Sequence, residues 1–176
     1  PSINKEIVVY NFGISDKKIL LVHGWSGRGT QLYKIAEELL KSGFSTVSFD
    51  APGHGKSAGN STIMIEFIES ILFLEQKYGK FEAAIGHSLG GISLLNATRK
   101  AKISDLLQNH FEKKFGEAMN SFSAYLSARE IEIPVLIIHD NDDAEVSVKC
   151  AINIHKNLKN GQLMITKGLG HRKILG

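Results

Sequence analysis

Ala84-Ile85-Gly86-His87-Ser88-Leu89-Gly90-Gly91 decides how this chain is read. A short apolar run stops abruptly in Gly-His-Ser-Leu-Gly and passes into a helix-like segment, which is the pattern of strand, turn and helix. A serine held between two glycines at such a junction is lifted on a tight turn, with its hydroxyl exposed at the end of a sheet and close to a helix N-terminus. That is a position for a nucleophile. Side chains at Gly86 or Gly90 would collide with the neighbouring strand and helix, while the serine occupies a strained backbone conformation. Small residues also crowd strand-to-helix turns for packing alone, so the partners of Ser88 have to be sought along the rest of the chain.

On the N-terminal side, Ile7 to Tyr10 is a short β-branched run, and Lys18 to His23 a longer apolar one that reads as a strand buried on both faces. The loop Gly24-Trp25-Ser26-Gly27-Arg28-Gly29-Thr30 follows. Leu32, Ile35, Ala36, Leu39 and Leu40 then recur at helical spacing up to Ser42, with Thr30 expected as N-cap and Gly43 as C-cap. The unit repeats: Phe44 to Phe49 as strand, Asp50-Ala-Pro-Gly-His-Gly-Lys-Ser57 as loop, Ile63 to Tyr78 as amphipathic helix closed by Gly79. Phe81 to Ile85 is the strand that delivers Ser88, with a helix from about Leu89 to Lys100. This alternation predicts an α/β fold with a mostly parallel open sheet and helices on both faces, because parallel neighbours need crossover connections.

On the C-terminal side the pattern breaks. Where another strand is due, residues 103–129 are mostly polar, with apolar positions at Leu106, Leu107, Phe111, Phe115, Met119 and Phe122. They read as amphipathic helices, either covering the sheet or forming a lid over a site. Order resumes with the strand Val135 to His139, the acidic loop Asp140-Asn-Asp-Asp143, a helix from Val146 to Leu158, a strand near Gln162 to Thr166, and Lys167-Gly-Leu-Gly-His171 before a final helix. The strand expected after the Ser88 helix is missing. Omission of encoded residues explains that better than a true deletion, which would leave backbone groups of the next strand unpaired.

With 176 residues and 43% hydrophobic content, a single domain spanning 1–176 is expected. The formal charge is +3 and the pI about 9.0, but the cations are scattered among acids without interleaved aromatics, which argues against nucleic acid. No apolar run approaches the roughly 20 residues of a membrane span, and no signal-peptide pattern opens the chain, so a cytoplasmic protein is expected. The sequence does not start with Met, which leaves room for an upstream segment. Cys150, the one cysteine, excludes an internal disulfide and reads as a small core residue. No His pair stands at ligand spacing beside an acid, so no metal is expected; no organic cofactor is expected either. The oligomeric state is not encoded in any feature of the sequence.

The loops that leave the strands carry, in order, His23-Gly24-Trp25, Ser88, Asp143 and His171. A hydroxyl needs a base in the transition state, an imidazole with a pKa near 6.5 suits that work, and a carboxylate must hold the imidazole in its tautomer. His23, His54, His87 and His139 read instead as structural hydrogen-bonders. Two loops approach the phosphate-binding pattern Gly-x-x-x-x-Gly-Lys-Ser/Thr, but one has Thr30 in place of the lysine and the other Asp50 in place of the first glycine, which speaks against nucleotide binding.

In these segments the chain resembles the α/β-hydrolase superfamily. His23-Gly24-Trp25 resembles its oxyanion turn, Asp50 to Ser57 its Asp-x-x-Gly-x-Gly-x-Ser turn, Gly86 to Gly90 its nucleophile elbow, His139 to Asp143 its acid loop and Gly170-His171 its histidine loop. The resemblance implies Ser88 as nucleophile, His171 as general base and Asp143 as orienting acid, with Asp142 and Asp140 as alternatives. It also implies an oxyanion hole from the backbone N–H groups of Trp25 and Leu89, each such donor being worth about 3 kcal/mol in the transition state. The expected function is a serine hydrolase acting on a small carboxylic ester or thioester. Epoxide hydrolases and dehalogenases, which share the resemblance, place an aspartate where Ser88 stands. The alternative of another class is a catalytically silent hydrolase fold serving as a binding module.

Overall fold

The computed structural model describes residues 5–107 and 123–173, without the side chains of 100–107. These residues group into two compact units, 1–97 and 98–176.

In the first unit, β1 (Val8–Phe12), β2 (Lys18–Val22), β3 (Ser45–Asp50) and β4 (Ala83–Gly86) form one sheet in the order β1-β3-β2-β4. The strands β3, β2 and β4 run parallel, and β1 is an antiparallel edge strand on β3. Ile19 to Val22 of β2 and all of β3 are buried, in keeping with central parallel strands covered on both faces. Phe49 and Phe67, both fully buried, anchor the core together with Leu20, Leu21, Leu32 and Leu74.

The helix α1 (Tyr33–Lys41) is preceded by a 3-10 turn, Gly29–Leu32, so Thr30 lies inside a turn and caps nothing. Its C-cap is Ser42, one residue before the expected Gly43, which follows at φ +83°: the Phe44 N–H donates to the Leu39 carbonyl at 3.0 Å and the Gly43 N–H to Leu40 at 3.0 Å. This paired arrangement satisfies carbonyls that the helix leaves open. The helix α2 (Met64–Tyr78) buries Phe67, Ile68, Ile71 and Leu74 and is closed by Gly79. The helix α3 (Leu89–Leu107) starts directly at the serine turn and runs on past the expected Lys100.

In the second unit, α4 (Ala124–Ala128) packs against α5 (Val148–Asn157), and β5 (Val135–Asp140) pairs parallel with β6 (Gly161–Thr166) in the register Asp140↔Thr166. The short α6 (Gly170–Lys173) contains His171. No strand occurs between β4 and β5 among the described residues. Of the stretch read as covering helices or a lid, residues 108–122 lie outside the described residues. Cys150 corrects an expectation: it is exposed, because the buried position of α5 is its neighbour Ala151, about 100° further round the helix.

Candidate functional site

Within the first unit the loops after β2, β3 and β4 leave the same edge of the parallel strands. Ser88 occupies the β4-to-α3 junction at φ +52°, one of two non-glycine residues with positive φ among the described residues. Such a conformation is costly for a side-chain-bearing residue and persists only where the surroundings dictate it. Here they do. A Cβ on Gly86 would lie 2.6 Å from both the Gly90 carbonyl carbon and the Gly91 nitrogen, and one on Gly90 would strike the Val22 and His23 carbonyl oxygens. Strand, turn and helix are thus pressed together at the two glycines, and the serine is what the turn pushes outward.

The turn after β2 is held just as tightly. His23 is fully buried, and its Nε2 accepts the Ala51 N–H at 3.0 Å, so the ring proton lies on Nδ1 and is donated to the Gly24 carbonyl at 2.7 Å. Burial, the largest influence, holds its pKa below the usual imidazole value, which keeps the ring neutral. The chain then turns over residues 24–27, closed by the Gly27 N–H on the Gly24 carbonyl at 3.1 Å. Gly24 packs on the elbow: a Cβ there would lie 2.9 Å from His87 Nδ1 and 3.0 Å from Ser88 Cβ. The turn carrying Trp25 therefore stands beside Ser88, and Leu89 begins the helix that follows it. Trp25 itself is exposed, with its ring nearly perpendicular to that of His54 at a centroid distance of 5.8 Å.

Behind both loops sits Asp50, 1% exposed. Its Oδ1 accepts the Gly29 N–H at 2.6 Å, and its Oδ2 accepts the Lys56 N–H and the Tyr10 hydroxyl, both at 2.8 Å. Burial alone would raise its pKa; the three donors outweigh that and hold the carboxyl below the usual range. The Asp-x-x-Gly-x-Gly-x-Ser turn is thus a strut, and Ser57 completes it by donating to the Asp50 carbonyl at 2.6 Å. One member of this arrangement was not legible in the sequence, Ser26 at φ +56°; His54, read there as a structural hydrogen-bonder, accepts its N–H at 3.1 Å.

Within the second unit the three acids of the loop after β5 have different partners. Asp143 Oδ2 accepts the His171 Nδ1–H at 2.7 Å, while Oδ1 accepts the N–H groups of Glu145 and Val146 at 2.8 and 2.9 Å. Both side chains are largely buried, 4% exposed for Asp143 and 15% for His171. Burial works against ionisation of Asp143, but the Val146 N–H, the His171 ring and the Glu145 N–H outweigh it and hold its pKa below the usual value. A neutral His171 that donates from Nδ1 keeps Nε2 as its basic nitrogen. His139 lies 3.6 Å from the same carboxylate, with Nε2 on the Val146 carbonyl at 3.0 Å.

Asp140 and Asp142 are used differently. Asp140, 1% exposed, accepts the Thr166 hydroxyl at 2.8 Å, the Leu169 N–H at 3.1 Å and the Asp142 N–H at 2.9 Å. Burial opposes its charge, yet these bonds prevail and bring its pKa down to about 2. Asp142 accepts the Gly168 N–H at 3.1 Å. These two carboxylates tie the acid loop to the backbone of the histidine loop, and only Asp143 meets the imidazole. Among the described residues no cluster of His, Cys, Asp or Glu is arranged to hold a metal ion, and no helix is long and apolar enough to cross a membrane.

A parallel sheet with an antiparallel edge strand, strand-turn-helix crossovers and a serine elbow define an α/β architecture of hydrolase type. The sequence pattern of the α/β hydrolase fold matches residues 17–110, more than half of the chain, and the protein belongs to that family. The match includes the turn after β2 and the serine elbow and ends before the loops that carry Asp143 and His171. No curated protein matches by sequence. Among solved structures, the fold is similar to that of Est1E from Butyrivibrio proteoclasticus with ferulic acid bound, at TM-score 0.76 and 19% identity over 96% of this chain and 88% of that one. A monoacylglycerol lipase from Paleococcus ferrophilus matches at TM-score 0.75 and 21% identity, over 94% of this chain and 90% of the other. The esterase EaEST from Exiguobacterium antarcticum matches at 0.73 and 18%, over 95% and 89%.

Proposed function

We propose that the protein is a serine hydrolase that cleaves a small carboxylic ester or thioester through an acyl-Ser88 intermediate. The observation that carries this reading is Ser88 itself, a non-glycine residue forced to φ +52° between two glycines whose replacement the neighbouring backbone excludes. Strain of that kind, imposed at a strand-to-helix turn, is what presents a hydroxyl for attack. The paired Asp143 and His171 supply the other chemistry such a serine needs, with the imidazole oriented from Nδ1 by a carboxylate kept ionised.

In the proposed cycle the Ser88 hydroxyl adds to the carbonyl carbon while His171 takes its proton. The backbone N–H groups of Trp25 and Leu89 receive the negative charge that develops on the carbonyl oxygen. Collapse of the tetrahedral intermediate breaks the ester or thioester bond, and His171 returns the proton to the departing alcohol or thiol. Water, deprotonated by the same imidazole, then releases the acid and restores Ser88. Several solved structures of the same fold are described as a lipase and as esterases, which agrees with acyl transfer as the reaction class.

Labelling with a serine-reactive fluorophosphonate probe tests this. The wild-type protein is expected to take up one label, located at Ser88 by peptide mapping, and Ser88→Ala none. A well-folded wild type that stays unlabelled overturns the reading in favour of a silent hydrolase fold that only binds.

A further inference from the structure

We propose that His54 is a positioning residue for this hydrolysis: by accepting the Ser26 N–H it locks the 24–27 turn, on which Trp25 stands beside the serine elbow, in one of its two forms. The inference rests on the hydrolase reading above and adds to it a residue that the triad and oxyanion assignments leave without a task.

The geometry carries it in three steps. Ser26 is the third residue of a four-residue turn closed between Gly24 and Gly27, and its φ of +56° is one that glycine would occupy without strain. With serine there, the turn would relax by rotating the Trp25–Ser26 peptide, the central peptide whose flip separates the two common turn forms. The N–H of that same peptide is the group bound to His54 Nε2 at 3.1 Å. Its rotation is blocked as long as the acceptor stays in place, which fixes ψ of Trp25 and the direction of its carbonyl; the Trp25 N–H, on the preceding Gly24–Trp25 peptide, keeps its place through the shape of the turn.

The acceptor is itself fixed. A ring that accepts at Nε2 carries its proton on Nδ1, and Nδ1 lies 3.2 Å from the Pro52 carbonyl, so both nitrogens demand the same neutral tautomer. The ring is wedged among His23, Phe67 and Trp25 at centroid distances of 5.0, 5.6 and 5.8 Å. Pro52 and His54 belong to the loop that Asp50 braces, so this imidazole ties that loop to the 24–27 turn, beside the Ala51 N–H on His23 Nε2 and the Gly29 N–H on Asp50. On the other side of the turn Gly24 packs on the elbow, and on this side His54 restrains the Trp25–Ser26 peptide.

The test separates the hydrogen bond from the packing. His54→Phe keeps a ring among the three aromatic neighbours and removes the acceptor; His54→Gln restores an acceptor near the Nε2 position. Turnover of 4-nitrophenyl acetate is compared with wild type, together with fluorophosphonate labelling of Ser88 and hydrogen exchange of the Ser26 amide. A displaced oxyanion donor loses part of what a deleted one loses, so kcat of His54→Phe is expected to fall about tenfold to hundredfold. KM should stay within about twofold, since the lost interaction belongs to the transition state. Ser26 exchange should accelerate, and His54→Gln should recover most of both effects. A folded His54→Phe with wild-type kcat, or a His54→Gln no better than His54→Phe, overturns the role of His54 while a labelled Ser88 leaves the hydrolase reading standing. A wild type without label or turnover removes that reading and this role with it.

Discussion

Replacing Asp50 by Asn removes one charge and one acceptor from the strut that joins the loops after β2 and β3, and its cost follows from the three bonds on the carboxylate. The asparagine amide nitrogen takes the place of either Oδ1 or Oδ2. In the first case it faces the Gly29 N–H; in the second it faces the Lys56 N–H, while the Tyr10 hydroxyl turns to accept. Either way one backbone N–H is left against another donor at a side chain 1% exposed to solvent. An orphaned buried donor costs about 1–3 kcal/mol, and loss of charge assistance weakens each of the two surviving bonds by about 1 kcal/mol. A neutral amide is easier to bury than a carboxylate, which returns part of this, so the expected destabilisation is about 2–4 kcal/mol. Urea unfolding followed by emission of the single tryptophan, Trp25, and by circular dichroism measures it in the unit that contains both residues. The pH dependence has a definite sign. Because the folded pKa of Asp50 lies below that of the unfolded chain, its stabilisation is fully present above the unfolded value near about 4 and is lost as pH falls through the folded one. The gap between wild type and Asp50→Asn should therefore hold from pH 7 to 5 and narrow in more acid solution. A gap at pH 7 below about 0.5 kcal/mol, or one that widens on acidification, would refute the strut.

Gly86→Ala should destabilise the first unit by about 1–3 kcal/mol, because its methyl would enter 2.6 Å from the backbone of Gly90 and Gly91, which no rotamer change relieves; a thermal melt indistinguishable from wild type would contradict the packing described for the elbow. The same substitution should slow labelling of Ser88 through displacement of the turn. His171→Ala is expected to cut ester turnover by about three to four orders of magnitude, and Asp143→Asn by a comparable factor through the wrong imidazole tautomer, both read from kcat with 4-nitrophenyl acetate. Near-wild-type turnover in His171→Ala would mean that another group serves as base.

The alternation of strands and helices, the buried character of β2, and the strand-turn-helix at Ser88 were written in the sequence, since each depends on residues adjacent along the chain. Hydrophobic runs bounded by glycine place strands locally, and Gly86 and Gly90 are needed within four residues of each other. Element ends were less legible, and Thr30 shows why: its hydroxyl suited a helix cap, but the Gly29 N–H is claimed by Asp50, which draws the chain into a 3-10 turn first. Three matters were decided only by tertiary structure. Which acid of Asp140, Asp142 and Asp143 meets His171 depends on the β5–β6 register, which sets Asp140 opposite Thr166 and commits it to the histidine-loop backbone. The exposure of Cys150 depends on which face of α5 is turned inward, and a neighbour at an angle of about 100° reverses the expectation. The bond between Ser26 and His54 joins residues 28 positions apart through two loops that only the sheet brings together, and no spacing along the chain announces it. Local sequence could say that a serine stands on a strained turn; the long-range hydrogen bonds that hold its neighbours in place exist only once the strands are paired.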